Sequence, residues 1–367
     1  MNPQGPLKVG IAGAGSIAFG TAALLKQMGH SPMLWSPSGK GTSEFEGNGS
    51  LKATGALDLE FEPSVASSAE QLAADNDVIV LAVPGYGHKS VFDALVPHLK
   101  AGQPFVISSH ASFGALYLRN AMLNRGIDLP VIAWGTTAVT GRRKSGQHVQ
   151  VNTVRSLVDM CTLPASETDF GKSLCDRLFG ERFNLRDGLL AITLSNLNPQ
   201  NHMGIALGNM TRMEKGETWG QGDNVTPNVG RLLEALDLER IAIAEKLGLQ
   251  VRTIFEHFHL SFHVPVASIS EMNQEMHKLG NGGTGPATAD SRYVTEDVPF
   301  GLAVTAALGK MVGCPAVLHE SGVSIFSAMY GRDFTKENDL LQAIGLEQLT
   351  LKDLSTAVSS GRLPDNT

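Results

Sequence analysis

Short apolar runs alternate with helix-spaced stretches through the first half of the chain. Val9–Ala12 reads as a strand, followed by a glycine-rich turn and a helix running through Ala22–Met28. Pro32–Trp35 is a second short strand. Asp77–Val83 and Pro104–Ser108 are continuous apolar runs, the kind buried on both faces of a parallel sheet. Val131–Trp134 and Val149–Val154 add further strands. Strand–helix–strand alternation of this kind predicts a doubly wound α/β layer.

Past Asp187 the pattern changes period. Ser195–Met213, Asn228–Leu247, Thr253–Phe262, Ser268–Leu279, Phe300–Val312 and Ala316–Met329 all carry 3.6-residue apolar spacing, broken by Gly and Pro. No strand is predicted in this half, and Gly280–Pro286 is a loop on composition alone. The expected organisation is residues 1–182 as a nucleotide-binding α/β domain and residues 183–367 as an all-helical domain.

Composition narrows the class. The 367 residues exceed one domain of ~100–200 residues. At 42% hydrophobic and 18% charged the chain is too apolar for disorder. A net charge of −7, with no basic run beyond Arg142-Arg143-Lys144, argues against a nucleic-acid binder, which needs a basic face. Cys161, Cys175 and Cys314 share no CxxC spacing and leave one unpaired, which fits a reducing compartment. The opening residues lack the charged-then-apolar order of an export signal. The longest clean apolar run, Val78–Val83, falls far short of the ~20 residues that span a bilayer. A soluble, cytoplasmic protein without a membrane partner is expected.

Gly13-Ala14-Gly15-Ser16-Ile17-Ala18 places G-x-G-x-x-A between the first strand and the first helix. Gly13 allows the tight turn, Gly15 lets the backbone approach a pyrophosphate, and Ala18 keeps the helix near the sheet. The amides opening the helix at Ser16 and Ile17 face the phosphates. The bland alternative is a glycine-rich turn without a ligand. The second strand ends at Trp35 with no acidic residue to take a ribose 2′-hydroxyl, and Ser36, Ser38 and Lys40 follow instead. Two hydroxyls and a cation suit a 2′-phosphate, so NADP is expected over NAD; a solvated polar turn is the alternative. Val83-Pro84 ends a later strand and is expected beside the nicotinamide, or is simply a turn.

In the helical half, Asn198 reads as an N-cap and Pro199 as the first helical residue, which puts His202 in the first turn. A histidine there meets anionic ligands, or is merely a capped-helix histidine. Asp290–Gly301 gathers ionisable residues ahead of an apolar helix, either as caps or with Arg292 clamping a carboxylate and Asp297 orienting a histidine. His259 and His263, four apart, share a predicted helix face with His257 nearby. A metal pair there is weighed against a surface or substrate-lining face, and no metal is assigned.

The N-terminal turn, the Asn198-x-x-x-His202 segment, Thr226–Arg231, Leu238–Ala244 and Arg292-Tyr-x-x-Glu-Asp-x-x-x-Gly301 together resemble the octopine/nopaline (opine) dehydrogenase family. The resemblance implies a Rossmann domain joined to a helical domain of the 6-phosphogluconate-dehydrogenase type, with the site in the cleft between them. It implies reductive condensation of an amino acid's α-amine with a small 2-oxo acid (pyruvate or 2-oxoglutarate), using NAD(P)H. On this resemblance His202 is the acid/base, Asp297 its partner, Arg292 the carboxylate holder and Asn198 a helper. Thr136 lies where relatives offer small polar residues to the substrate, with Trp134 an odd neighbour. A homodimer is expected. The alternatives are a ketopantoate-type 2-oxo acid reductase, whose relatives place a lysine where this chain has Asn198 and His202, and a nucleotide-sensing protein without turnover.

Overall fold

The computed structural model describes residues 5–45 and 49–364, so the first four residues of the opening stretch lie outside it. The chain divides into two compact units, Met1–Thr193 with Lys352–Thr367, and Leu194–Leu351. The expected boundary at 182/183 thus differs from the observed division after Thr193. The last helix, Leu351–Ser360, runs into the first unit. Ser360 O accepts from Arg119 Nε at 3.1 Å, and Leu363 N donates to Asn120 Oδ1 at 3.0 Å.

Among the described residues the first unit holds twelve strands: β1 (Lys8–Ala12), β2 (Ser31–Trp35), β3 (Leu51–Gly55), β4 (Leu59–Phe61), β5 (Ser64–Val65), β6 (Val78–Leu81), β7 (Phe105–Ile107), β8 (Val131–Trp134), β9 (Val139–Ser145), β10 (His148–Val154), β11 (Val158–Leu163) and β12 (Phe183–Leu185). Eight form one sheet in the order β12-β11-β8-β7-β6-β1-β2-β5. Its pairs are parallel except β11 with β8. This is the predicted doubly wound layer. β1, β6, β7 and β8 are almost wholly apolar because the sheet is covered on both faces.

The sequence reading did not separate a second sheet, β4-β3-β10-β9. It packs on helix Ser16–Gln27, where Gly20 permits the approach: a Cβ there would lie 3.0 Å from Val139 Cγ2. Trp134 does not face a ligand surface; it is fully buried, its ring 5.0 Å from Phe179 and 4.9 Å from Phe183. Burial pushes the Cys161 and Cys175 thiols up to about 12, so both stay unreactive near neutral pH.

The second unit is helical: Asn198–Glu214, Pro227–Lys246, Ile254–Phe262, Ile269–Lys278, Ala303–Met311 and Val317–Tyr330 match the predicted helices within a few residues. Thr253 and Ser268 close reciprocal capping boxes with Glu256 and Glu271. Val298–Leu302 is a π-helical turn. Among the described residues no helix is long and apolar enough to cross a membrane.

Two histidines follow the carboxyl ends of β6 and β7, and both are buried. Burial lowers His88 to about 4, opposed by its bond to Val83 O, and burial lowers His110 to about 3, with His88 adding to it. Both values lie below the unfolded 6.5, so the unfolded chain takes protons first. Stability is therefore full above about pH 6.5 and falls as pH drops toward 4 and then 3, by roughly 3 kcal/mol for His88 alone at about 1.4 kcal/mol per unit. In thermal melts at pH 7, 5.5 and 4, His110→Gln is expected to keep more of its neutral-pH melting temperature than the unsubstituted chain.

Candidate active site

In the first unit the glycine turn closes β1. Gly13 sits at φ 146°, and a Cβ there would lie 2.3 Å from Ala82 O, so only glycine fits. Its amide donates to Trp35 O at 2.8 Å, tying the turn to the end of β2. At Gly15 an added Cβ would meet nothing within 4 Å, so that Cβ would fill open space at the head of helix Ser16–Gln27. No side chain caps that helix. Ala18 is fully buried, 3.4 Å from where a Gly13 Cβ would be. Backbone donors, a positive helix end and a missing Cβ fit the pyrophosphate of a dinucleotide.

The register aligns Ala12, Trp35, Leu81, Ile107 and Ala133 along one sheet edge. β1 lies between β2 and β6, so the order in which strands are added reverses there, the place where open α/β sheets bind ligands. Beyond β2 a cavity of ≈ 750 Å³ is lined by Ser36, Ser38, Gly39, Thr42, Phe45 and Glu62 among others. Lys40 is exposed and is not part of that lining, which departs from the expected trio with Ser36 and Ser38. Val83 and Thr136, both half-buried, follow the carboxyl ends of β6 and β8; Pro84 is exposed.

In the second unit, His202 Nδ1 lies 2.7 Å from Asp297 Oδ2, with the side chains 14% and 8% exposed. A carboxylate only accepts, so the proton sits on Nδ1 and Nε2 is the atom left for chemistry. The Tyr293 ring stacks on the imidazole at 3.6 Å and 8°, and its hydroxyl donates to Gln221 Oε1. His202 is thus fixed in plane by a carboxylate and across its face by a phenol. Tyr293 lies inside the Arg292–Asp297 motif; its spacing of four from Asp297 is the signal that marks it.

Close helix packing makes this meeting possible. A Cβ on Gly301 would lie 2.2 Å from Pro199 Cγ and 2.5 Å from Pro199 Cβ, so the missing side chain lets the π-turn lie against the His202 helix. Asn338 Nδ2 holds Pro299 O at 2.8 Å. Beneath, Asp237 accepts from Gln200 Nε2 at 2.8 Å, from Arg240 and from Ile254 N, while Arg240 donates to Leu194 O and Arg252 O. This buried network anchors the helix at Gln200, two residues before His202.

Two expected details change. The capping position before the His202 helix is Leu197, not Asn198, because Asn196 Oδ1 accepts the Asn198 amide; Asn198 is the first helical residue and exposed, and His202 the fifth. His263 lies outside helix Ile254–Phe262 at φ 57°, and His259 Nδ1 meets Val264 O at 2.8 Å, so the two do not share a helix face. Among the described residues no group of three or more metal-ligating side chains converges. Arg292, 59% exposed, pairs through Nε with Glu296 at 3.1 Å, and its terminal nitrogens make no hydrogen bond among the described residues.

Residues 185–330 match the model of the NAD/NADP octopine/nopaline dehydrogenase α-helical domain, and residues 8–112 that of the coenzyme F420-dependent NADP oxidoreductases. An opine dehydrogenase of Arthrobacter sp. (strain 1C) is 29% identical over 354 residues, covering 95% of this chain and 98% of that protein. An octopine dehydrogenase structure with NADH and L-arginine superposes with TM-score 0.81 at 17% identity over 98% of this chain and 100% of that one. A yersinopine dehydrogenase bound to NADP+ does so with TM-score 0.71 at 16% identity over 93% of this chain and 97% of that one. Residues 185–330 are therefore similar to the α-helical domain of the octopine/nopaline dehydrogenases.

Proposed function

We propose that this chain is an NAD(P)H-dependent opine dehydrogenase. It condenses the α-amine of an amino acid with a small 2-oxo acid to a secondary-amine dicarboxylic acid, and oxidises that product in reverse. The observation that carries the reading is the His202–Asp297 pair, one turn beyond an arginine with free terminal nitrogens. Amine addition to the oxo acid gives a carbinolamine, whose hydroxyl must leave as water. His202 Nε2 donates the proton for that departure and, in the reverse direction, takes one back from the water that adds to the imine. Asp297 holds the imidazole tautomer and stabilises its cation; Tyr293 stops the ring from turning. Arg292 takes the oxo-acid carboxylate through its planar fork, the arrangement that suits a two-oxygen anion. Asn198, at the start of the same helix, is a polar helper, and Thr136 a substrate contact. The nicotinamide, when bound, supplies the hydride that reduces the imine carbon.

Gly13, Gly15, Ser16, Ile17 and Ala18 would hold the pyrophosphate, with Val83 and Pro84 beside the nicotinamide. The absence of an acid after β2, with Ser36 and Ser38 on the cavity wall, supports NADP over NAD.

Oxidation of NADPH followed by absorbance, with pyruvate or 2-oxoglutarate and a pooled set of amino acids, tests the reading. Turnover only with both substrates is expected; turnover with the oxo acid alone would instead mark a hydroxy-acid reductase. His202→Ala is expected to lower kcat by about 10²–10⁴-fold with NADPH affinity intact. Arg292→Ala should act mainly on the KM for the oxo acid. Gly301→Ala forces Pro199 away and should cost roughly 10²-fold in kcat, while Tyr293→Phe, which keeps the stack, should retain far more activity than Tyr293→Leu.

A further inference from the structure

Arg142-Arg143-Lys144 is the basic run that the reading above leaves without a role, and Arg143 proves to stand beside the glycine turn. It lies on β9, far along the chain from residue 14, yet its Nη1 lies 3.4 Å from Ala14 O. Its guanidinium sits over the Phe19 ring, 4.9 Å from the centroid, and Phe19 meets Phe45 edge-on at 5.4 Å. Phe45 lines the cavity beyond β2. The loop after β2 folds back onto the same point, since a Cβ on Gly41 would lie 2.5 Å from Ala14 Cβ and 3.3 Å from Ser36 Oγ. Ala14 is therefore flanked by Ser36, at the position where a dinucleotide fold reads its ribose, and by a guanidinium.

The arginine is held rather than loose. Nε donates to Ser145 O at 3.0 Å and Nη2 to Gly146 O at 2.8 Å, which locks the side chain to its own hairpin turn. With Nη1 on Ala14 O, two of the five guanidinium N–H groups remain uncommitted among the described residues. The nearest acid, Glu44, lies at 3.7 Å, beyond hydrogen-bond length. The side chain is 30% exposed, so an anion has access. Among the described residues the charges around the cavity are Glu62 on the wall, Glu44 beside the arginine and Lys40 on the surface. Neither Arg143 nor Lys40 is part of the cavity lining, but Arg143 is held by three carbonyls whereas Lys40 is exposed.

We infer that Arg143 is the residue that selects the 2′-phosphate of NADP, with Ser36 and Ser38 as hydroxyl partners, a task first read onto Lys40. The inference rests on the preference for NADP proposed above. Planar donors pre-set by two carbonyls match a phosphate better than a mobile ammonium.

The test is equilibrium titration of NADPH and NADH, followed by fluorescence, on the full chain and on Arg143→Ala, Arg143→Lys and Lys40→Ala. The expected result is tighter binding of NADPH by the unsubstituted chain. Arg143→Ala should lose that preference by tenfold or more while NADH affinity changes less than twofold, Arg143→Lys should recover part of it, and Lys40→Ala should shift it less than threefold. Unchanged NADH affinity shows that the turn stays folded. A chain that binds the two cofactors equally overturns the NADP reading and this assignment together. A chain that prefers NADPH, with Arg143→Ala keeping the preference or weakening both cofactors alike, overturns only the assignment to Arg143.

Discussion

Helix Asn198–Glu214 and the π-turn Val298–Leu302 approach until backbone and a proline ring touch, and the chemistry of the second unit hangs on that approach. Gly301 is what permits it. A π-turn widens the helix by one residue per turn, and such turns recur at functional sites because they re-aim the residues flanking them. Here the flanking residue is Asp297, and the re-aimed carboxylate reaches His202. A side chain at 301 would collide with the Pro199 ring and push the turn away from the His202 helix.

Beneath this contact the Asp237–Arg240 pair does a different job. A buried ion pair adds little net stability, since desolvation offsets its attraction, yet removing one partner strands a buried charge at a cost of about 3–5 kcal/mol. Asp237 also accepts from Gln200 and Ile254, and Arg240 reaches two carbonyls, so four chain segments share one charge centre. The pair specifies where the His202 helix starts relative to its neighbours.

Much of this was legible from residue order. Val131–Trp134 was read with its observed bounds, and His202, Arg292 and Asp297 were singled out before any geometry. What escaped has physical causes. β3 and β9 carry lysine, arginine and threonine on their outer face, so their runs break before they look like strands. The pairing of β3 with β10 also joins residues almost a hundred apart, as His148 with Lys52. Lys40 follows β2 directly and so stands out in the sequence with Ser36 and Ser38, whereas the nearness of Arg143 to Ala14 exists only once the hairpin lies on helix Ser16–Gln27. Asn198 was taken for a cap because Asn-Pro is a common helix start, but Asn196 was the better-placed acceptor.

The return of the last helix to the first unit gives the chain an order of assembly. Arg119 and Asn120 emerge from the ribosome long before Ser360 and Leu363, and the whole helical unit is synthesised in between. At ~5–20 residues per second, the α/β unit waits many seconds with that surface unsealed. The helical unit is thus an insertion into a domain that closes last, and a ribosome stalled near residue 350 would leave the nucleotide-binding half, rather than the helical one, incomplete.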